Sequence, residues 1–301
     1  MEDNPKFKVP DKNTRIEAIG SITNLPENTL KKILSSADNY HKPIPTPSEG
    51  DWLYSMSENG QTFSQFLSDN SNKEIDKSKK IYINPLQKME ENFLSNCLLY
   101  CKAFFYPMKV EIVNLASLKF LNIESRINEQ TNKIQYNARE INSKISKLVP
   151  NDAHCVLSIL LEDLYPKEEW NFVFGLASKS KRVGVFSFAR FNPKFWDEKG
   201  PKNLENYLLY RSCNTLIHEI CHTFGLKHCI FYSCLMNGYN DLDEQAKTPL
   251  IECPVCLRKL QYTIGFDPLE RYKQLMNVSK SFGGFFQYVS IWYEKRINSL
   301  K

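Results

Sequence analysis

The sequence predicts an α/β fold: a mixed, twisted sheet, one long histidine-bearing helix and a small, loop-rich C-terminal subdomain. Three observations lead there. Apolar runs of strand length recur between residues 81 and 191, with one helical pattern crossing between them. Leu208, Leu209, Leu216, Ile217, Ile220 and Phe224 then repeat at three- and four-residue spacings, the period of an amphipathic helix. Past Gly225 the helical repeat gives way to closely spaced cysteines.

Residues 1–80 are polar, with prolines at 43, 45 and 47 and a Ser/Asn/Lys-rich stretch at 68–80. They read as an N-terminal extension that packs in part, with an ordered patch near 52–66. The compact domain spans 81–301, with an upper subdomain at 81–225 and a C-terminal one at 226–301. Ile81-Tyr82-Ile83 opens it. Residues 92–105 read as a helix whose Cys97 and Cys101, four apart, are packed thiols. A strand follows at 108–113, then helical spacing at 134–148 through Ile134, Ala138, Ile141, Ile145 and Leu148. The run 155–161 fits a buried strand, and 171–177 and 182–191 read as two more. A closing helix at 282–300 places Trp292 and Tyr293 in the core.

Within the long helix, residues 218–228 read HExxHxxGxxH. Residues four apart share a helix face, so His218 and His222 can offer both imidazoles to one ion. Glu219, one step round, can reach a water at that ion without being a ligand. Gly225 tolerates positive φ, so the chain can turn and bring His228 back. Three neutral imidazoles leave a fourth position open, the arrangement of a catalytic zinc. Three of the chain's five histidines are used here, a concentration chance does not favour.

Cys229 follows directly, Cys234 comes after four intervening residues, and Cys253-Pro254-Val255-Cys256 completes the set after a gap of 18. Four thiolates saturate a tetrahedral zinc, so this second site is expected to be structural. The cofactor expectation is therefore two zinc ions per chain. Met236, two residues past Cys234, stands where a methionine turn would underlie the three histidines. Cys155, Cys213 and Cys221 are read as core thiols, and His154 as a capping or surface residue.

HExxHxxGxxH running into CxxxxC, CxM and CxxC resembles the archaemetzincins, metzincin-related zinc metallopeptidases with a second, four-cysteine zinc. Residues 253–260, Glu162-Asp163-Leu164-Tyr165-Pro166, Phe174-Gly175 and Gly184-Val185-Phe186-Ser187 resemble the eukaryotic branch. The resemblance covers most of 80–301 and reaches faintly to Gly50-Asp51-Trp52-Leu53 and Gln61-Thr62-Phe63. It implies a zincin-like sheet with an active-site helix. The ligands would be His218, His222 and His228 for the catalytic zinc and Cys229, Cys234, Cys253 and Cys256 for the structural one, with Glu219 as general base. It also implies that the strand at 184–191 is the cleft's edge strand, where an extended peptide adds by main-chain bonds, with Ser187, Phe188 and Ala189 nearest the substrate. Hydrolysis of peptide bonds follows, with the resemblance favouring an aminopeptidase on short peptides over an endopeptidase. The rival reading is a catalytically silent, zinc-stabilised peptide-binding or protein-interaction module.

Composition sets outer bounds. The net charge of +5 is modest, and 39 basic residues are spread among 34 acidic ones, which argues against a nucleic-acid partner. The basic runs at 77–80 and 179–182 read as solvated loops. No apolar run reaches 18 residues, so no membrane span is expected. Met1-Glu2-Asp3-Asn4-Pro5-Lys6 is polar, without the apolar stretch of a signal peptide. Expected, then, is a monomeric cytoplasmic protein, also nuclear by diffusion, acting on a peptide or protein substrate.

Overall fold

Parallel strands covered on both faces must be largely apolar along their length, and the runs at 81–83 and 155–160, Ser158 apart, meet that demand. The computed structural model describes residues 7–26, 28–69, 75, 76 and 78–301. The polar start at 1–6 and parts of the 68–80 stretch, including Lys77 of its basic run, lie outside the described residues.

Two compact units emerge. The first holds the sheet and comprises Ile75–Thr223 with Asn277–Ser290. Its strands are β1 (Lys80–Pro85), β2 (Lys109–Ile112), β3 (Ser125–Ile127), β4 (Ile134–Asn137), β5 (Ala153–Leu160), β6 (Asp163–Tyr165), β7 (Gly175–Ser178) and β8 (Val183–Ser187). The main sheet has the order β2-β1-β5-β8-β7. Its first four strands run parallel, and β7 pairs antiparallel with β8 at one edge. A second sheet has the order β3-β4-β6.

Side chains alternate across a strand, so each face of β5 recruits its own helix. Val156, Val183 and Val185 share a core with Ala138, Ile141 and Ile145 of the helix Ala138–Ile145. Cys155, on the other face, meets the Thr223 hydroxyl at the end of the helix Leu204–Thr223. That helix packs on β5, β7 and β8 and against the helix Glu91–Phe104. The expected helix at 134–148 is shorter than its spacing suggests, because 134–137 is strand β4. Gln135 there is fully buried, and its amide donates to Asp163 Oδ2 at 2.8 Å, which ties the segment into the sheet.

The second unit joins the described residues before Ile75 to Phe224–Met276 and Ile291–Lys301. The boundary expected at residue 80 therefore does not mark off a separate extension. Polar anchors explain why. Arg258 donates to the carbonyls of Ile19 and Ser21, and Arg296 to the carbonyl of Ile33 and the hydroxyl of Ser36. The expected loop-rich character past Gly225 is confined to 224–241 and the approach to Cys253. Helices Leu242–Lys247, Pro254–Ile264, Pro268–Phe282 and Gln287–Asn298 make up most of the rest. In the last of them Tyr293 is fully buried, and the Trp292 indole donates to the Tyr40 carbonyl at 3.1 Å. No helix among the described residues is long and apolar enough to cross a membrane.

Candidate metal centres

The helix Leu204–Thr223 buries its C-terminal half, including His218 and Glu219. One turn apart, the Nε2 atoms of His218 and His222 approach to 3.0 Å, with the rings nearly perpendicular at 82°. The helix ends at Thr223, and Gly225 adopts φ +87°, the left-handed turn expected of it. Gln61 holds the reversed chain: its amide donates to the Gly225 carbonyl at 3.2 Å and accepts from the Lys227 N–H at 3.3 Å. The ligand nitrogens of His218, His222 and His228 all lie within 4.8 Å of one another. Nitrogens about 2.0–2.1 Å from a tetrahedral zinc stand about 3.3 Å apart, near the 3.0 Å between the His218 and His222 nitrogens.

Glu219 is 8% exposed, and burial pushes its carboxyl up to about 8. It lies against the edge strand β7. A Cβ at Gly175 would come within 2.8 Å of the Glu219 Cδ, so any larger residue there would push this carboxylate from its place. Nothing in the spacing of Gly175 along the sequence reveals that contact.

The edge-strand assignment needs correction. β8 is paired on both sides, with β5 and with β7, and the edge is β7. Ser187, Phe188 and Ala189 are buried at 3%, 5% and 7% exposure. The Ser187 hydroxyl donates to the Glu162 carbonyl at 2.6 Å and accepts from the Ala189 N–H at 3.1 Å. Past Ser187 the chain leaves the sheet for a 3-10 turn, Ala189–Phe191. Arg190 anchors that turn through a buried two-pronged pair with Asp163, at 2.8 and 2.7 Å. The strand therefore ends short of 191, and all three side chains are buried.

The four cysteines also converge. Cys229, Cys234, Cys253 and Cys256 are 3%, 0%, 0% and 1% exposed, and their sulfurs lie within 4.8 Å of one another. Cys229 Sγ and Cys253 Sγ are 3.6 Å apart, close to the roughly 3.8 Å edge that zinc–sulfur bonds of about 2.3 Å give a tetrahedron. None of the nine cysteines is in a disulfide. Backbone N–H groups of Met236 and Cys253 donate to Cys234 Sγ at 3.4 and 3.2 Å. Burial opposes ionisation of Cys229, yet hydrogen bonds from Cys234, Cys253 and Cys256 carry its thiol well below the usual range. Pro254 occupies the first turn of the helix Pro254–Ile264, where a missing N–H costs nothing, and Cys253 caps it. Asn237 ties the loop shut: its side chain accepts from the Cys234 N–H and donates to the carbonyls of Cys229 and Tyr232. Met236 is fully buried, and its carbonyl accepts from the Cys229 N–H at 2.7 Å.

Two contributors escaped the sequence reading. Gln61 belonged to a segment of faint resemblance with no assigned role. Glu58 Oε1 lies 2.7 Å from His228 Nδ1 across 170 residues of sequence, and no local spacing signals it. His154, read as a surface or capping residue, is largely buried in β5, with its Nε2 3.3 Å from the Thr223 hydroxyl.

Three imidazoles at one point beside a buried carboxylate, on a mixed α/β scaffold, are the arrangement of a zinc metallopeptidase. The sequence model of peptidase family M54 matches residues 87–262. Archaemetzincin-2 of Rattus norvegicus is 38% identical over 279 residues, covering 83% of this chain and 78% of that protein. Archaemetzincin-1 of Homo sapiens is 32% identical over 255 residues, 75% of this chain and 51% of its own length. The crystal structure of an archaemetzincin from Archaeoglobus fulgidus, complexed with malonate, is 25% identical. It aligns with 60% of this chain and 99% of its own, at a TM-score of 0.44. The chain belongs to peptidase family M54, the archaemetzincins, and is a zinc-dependent metallopeptidase.

Proposed function

We propose that the chain hydrolyses peptide bonds with His218, His222 and His228 as ligands of a catalytic zinc and Glu219 as general base. Zinc held there supplies Lewis acidity: it polarises a carbonyl and brings the pKa of water down to about 7. Glu219 takes the proton of the attacking water and returns it to the leaving amine. Burial raises the affinity of its carboxyl for a proton, the direction that accepting one from water requires. The single observation that carries this reading is the buried Glu219 one residue from a convergent imidazole.

With β8 enclosed, the free edge of β7 is the place for an extended substrate, antiparallel to β8 and alongside the Glu219 carboxylate. Cys229, Cys234, Cys253 and Cys256 hold a second, structural zinc, so each chain carries two ions. Met236 forms the methionine turn of the site. Nine cysteines without a disulfide suit a reducing compartment, which supports a cytoplasmic enzyme. The finer assignment is an aminopeptidase acting on short peptides, carried by the family resemblance. Digestion of a peptide library by the wild type and by Glu219→Ala tests both levels. Cleavage by the wild type alone supports the hydrolase, and products shortened from the N-terminus support the aminopeptidase. Equal cleavage by both proteins removes Glu219 from the reaction, and internal cuts replace the finer assignment.

A further inference from the structure

We infer that Glu58 is the positioning residue for His228 and thereby sets how tightly the histidine site holds its metal. The inference rests on the metal assignment proposed above. His218 and His222 are aimed by the helix that carries them. His228 follows the left-handed turn at Gly225, outside any helix or strand, and needs its orientation from elsewhere. Glu58 provides it, with Oε1 2.7 Å from His228 Nδ1 and both side chains about four-fifths buried. A carboxylate only accepts, so Nδ1 carries the proton and Nε2 keeps its lone pair for the ion.

The carboxylate is itself held. The Trp52 indole N–H donates to the same Oε1 at 2.9 Å. The Trp52 backbone N–H donates to the Glu244 carboxylate at 2.8 and 3.0 Å. The indole lies so close to Gly238 that a Cβ there would sit 2.6 Å from the ring. Its edge also meets the His228 imidazole, with centroids 5.3 Å apart at 86°. Trp52 therefore steadies both the carboxylate and the ring it aims. A partner of this kind also makes the ligating nitrogen a better donor, and losing one typically costs 10- to 100-fold in metal affinity.

The test uses the full, zinc-loaded chain and titrates each zinc equivalent against a chelator of known affinity. Glu58→Ala is expected to weaken one equivalent about 10- to 100-fold and leave the four-thiolate equivalent unchanged, which also reports an intact fold. Glu58→Gln keeps an acceptor for Nδ1–H and is expected to lose less. Nitrogen-15 NMR of the imidazoles is expected to show His228 as the Nδ1–H tautomer in the wild type. Unchanged affinity in a folded Glu58→Ala, or an Nε2–H tautomer at His228, overturns the role of Glu58. If Glu58→Ala fails to fold, the Gln variant and the wild-type tautomer decide. His222→Ala separates the two proposals. It is expected to lose that equivalent outright, and retention of both ions would refute the metal assignment rather than the role of Glu58.

Discussion

The histidine cluster and the cysteine cluster answer the same coordination problem in opposite ways. The cysteine site is sealed: no sulfur-bearing residue exceeds 3% exposure, and backbone N–H groups turn toward Cys234 Sγ. Four donors would fill a tetrahedral ion, so the role proposed for that site is structural. The histidine site buries His218 but leaves His222 and His228 partly exposed, and three donors leave a position for chemistry. The difference lies in donor count and exposure, and it is the ground for proposing a structural role for one site and a catalytic role for the other.

The largest effect should come from the sealed site. Cys256→Ser removes one ligand of the proposed structural zinc, and such an ion contributes on the order of 10 kcal/mol to folding. We expect one zinc per chain and loss of the cooperative melting transition of the unit that holds the cysteines. A normal melting curve would break the comparison. Next comes Glu219→Ala, which should cost at least 10²- to 10⁴-fold in kcat while both ions stay bound, read by peptide turnover and metal analysis. If zinc left with the carboxylate, Glu219 would be a ligand and the site no longer open.

Gly175→Ala sharpens the same point, because its methyl group would press on the Glu219 carboxylate. We expect kcat to drop about 10- to 100-fold with both zinc equivalents intact, since small displacements of a reacting group cost that much. Unchanged kcat would show that Glu219 has room to spare. The smallest effect concerns acid. Burial holds His41 neutral in the unit of the cysteine site, its pKa pushed down to about 3 from 6.5. The unfolded chain takes up that proton first, so the stability His41 contributes is complete above pH 6.5 and is lost as pH falls toward 3. His41→Gln should flatten the decline in melting temperature between pH 6.5 and 4. An identical pH profile would remove His41 from the acid response.

Both donor clusters were legible because their geometry is local. A one-turn spacing, a glycine turn and a short thiol pair bring donors together whatever surrounds them, and His218, His222, Cys253 and Cys256 converge accordingly. The strand run 155–161 was legible too, since a strand covered on both faces has to be apolar. The order of strands was not. Whether β8 or β7 forms the edge depends on which segment pairs outside it, and residues 182–191 read the same either way. Ile134 to Asn137 fit the helical repeat, but a buried amide at Gln135 drew them into a sheet.

By itself, then, the sequence determined the class of this protein, a zinc metallopeptidase, and marked the histidine and cysteine donors that stand close together in the fold. Those properties belong to residue types and near-neighbour spacing. Tertiary structure alone decided which strand edge stays open, that Gly175 makes room for Glu219, and that Glu58 and Gln61 brace the turn carrying His228. Such contacts join residues far apart in the chain. They exist only after the core has packed and left each of these groups one place to go.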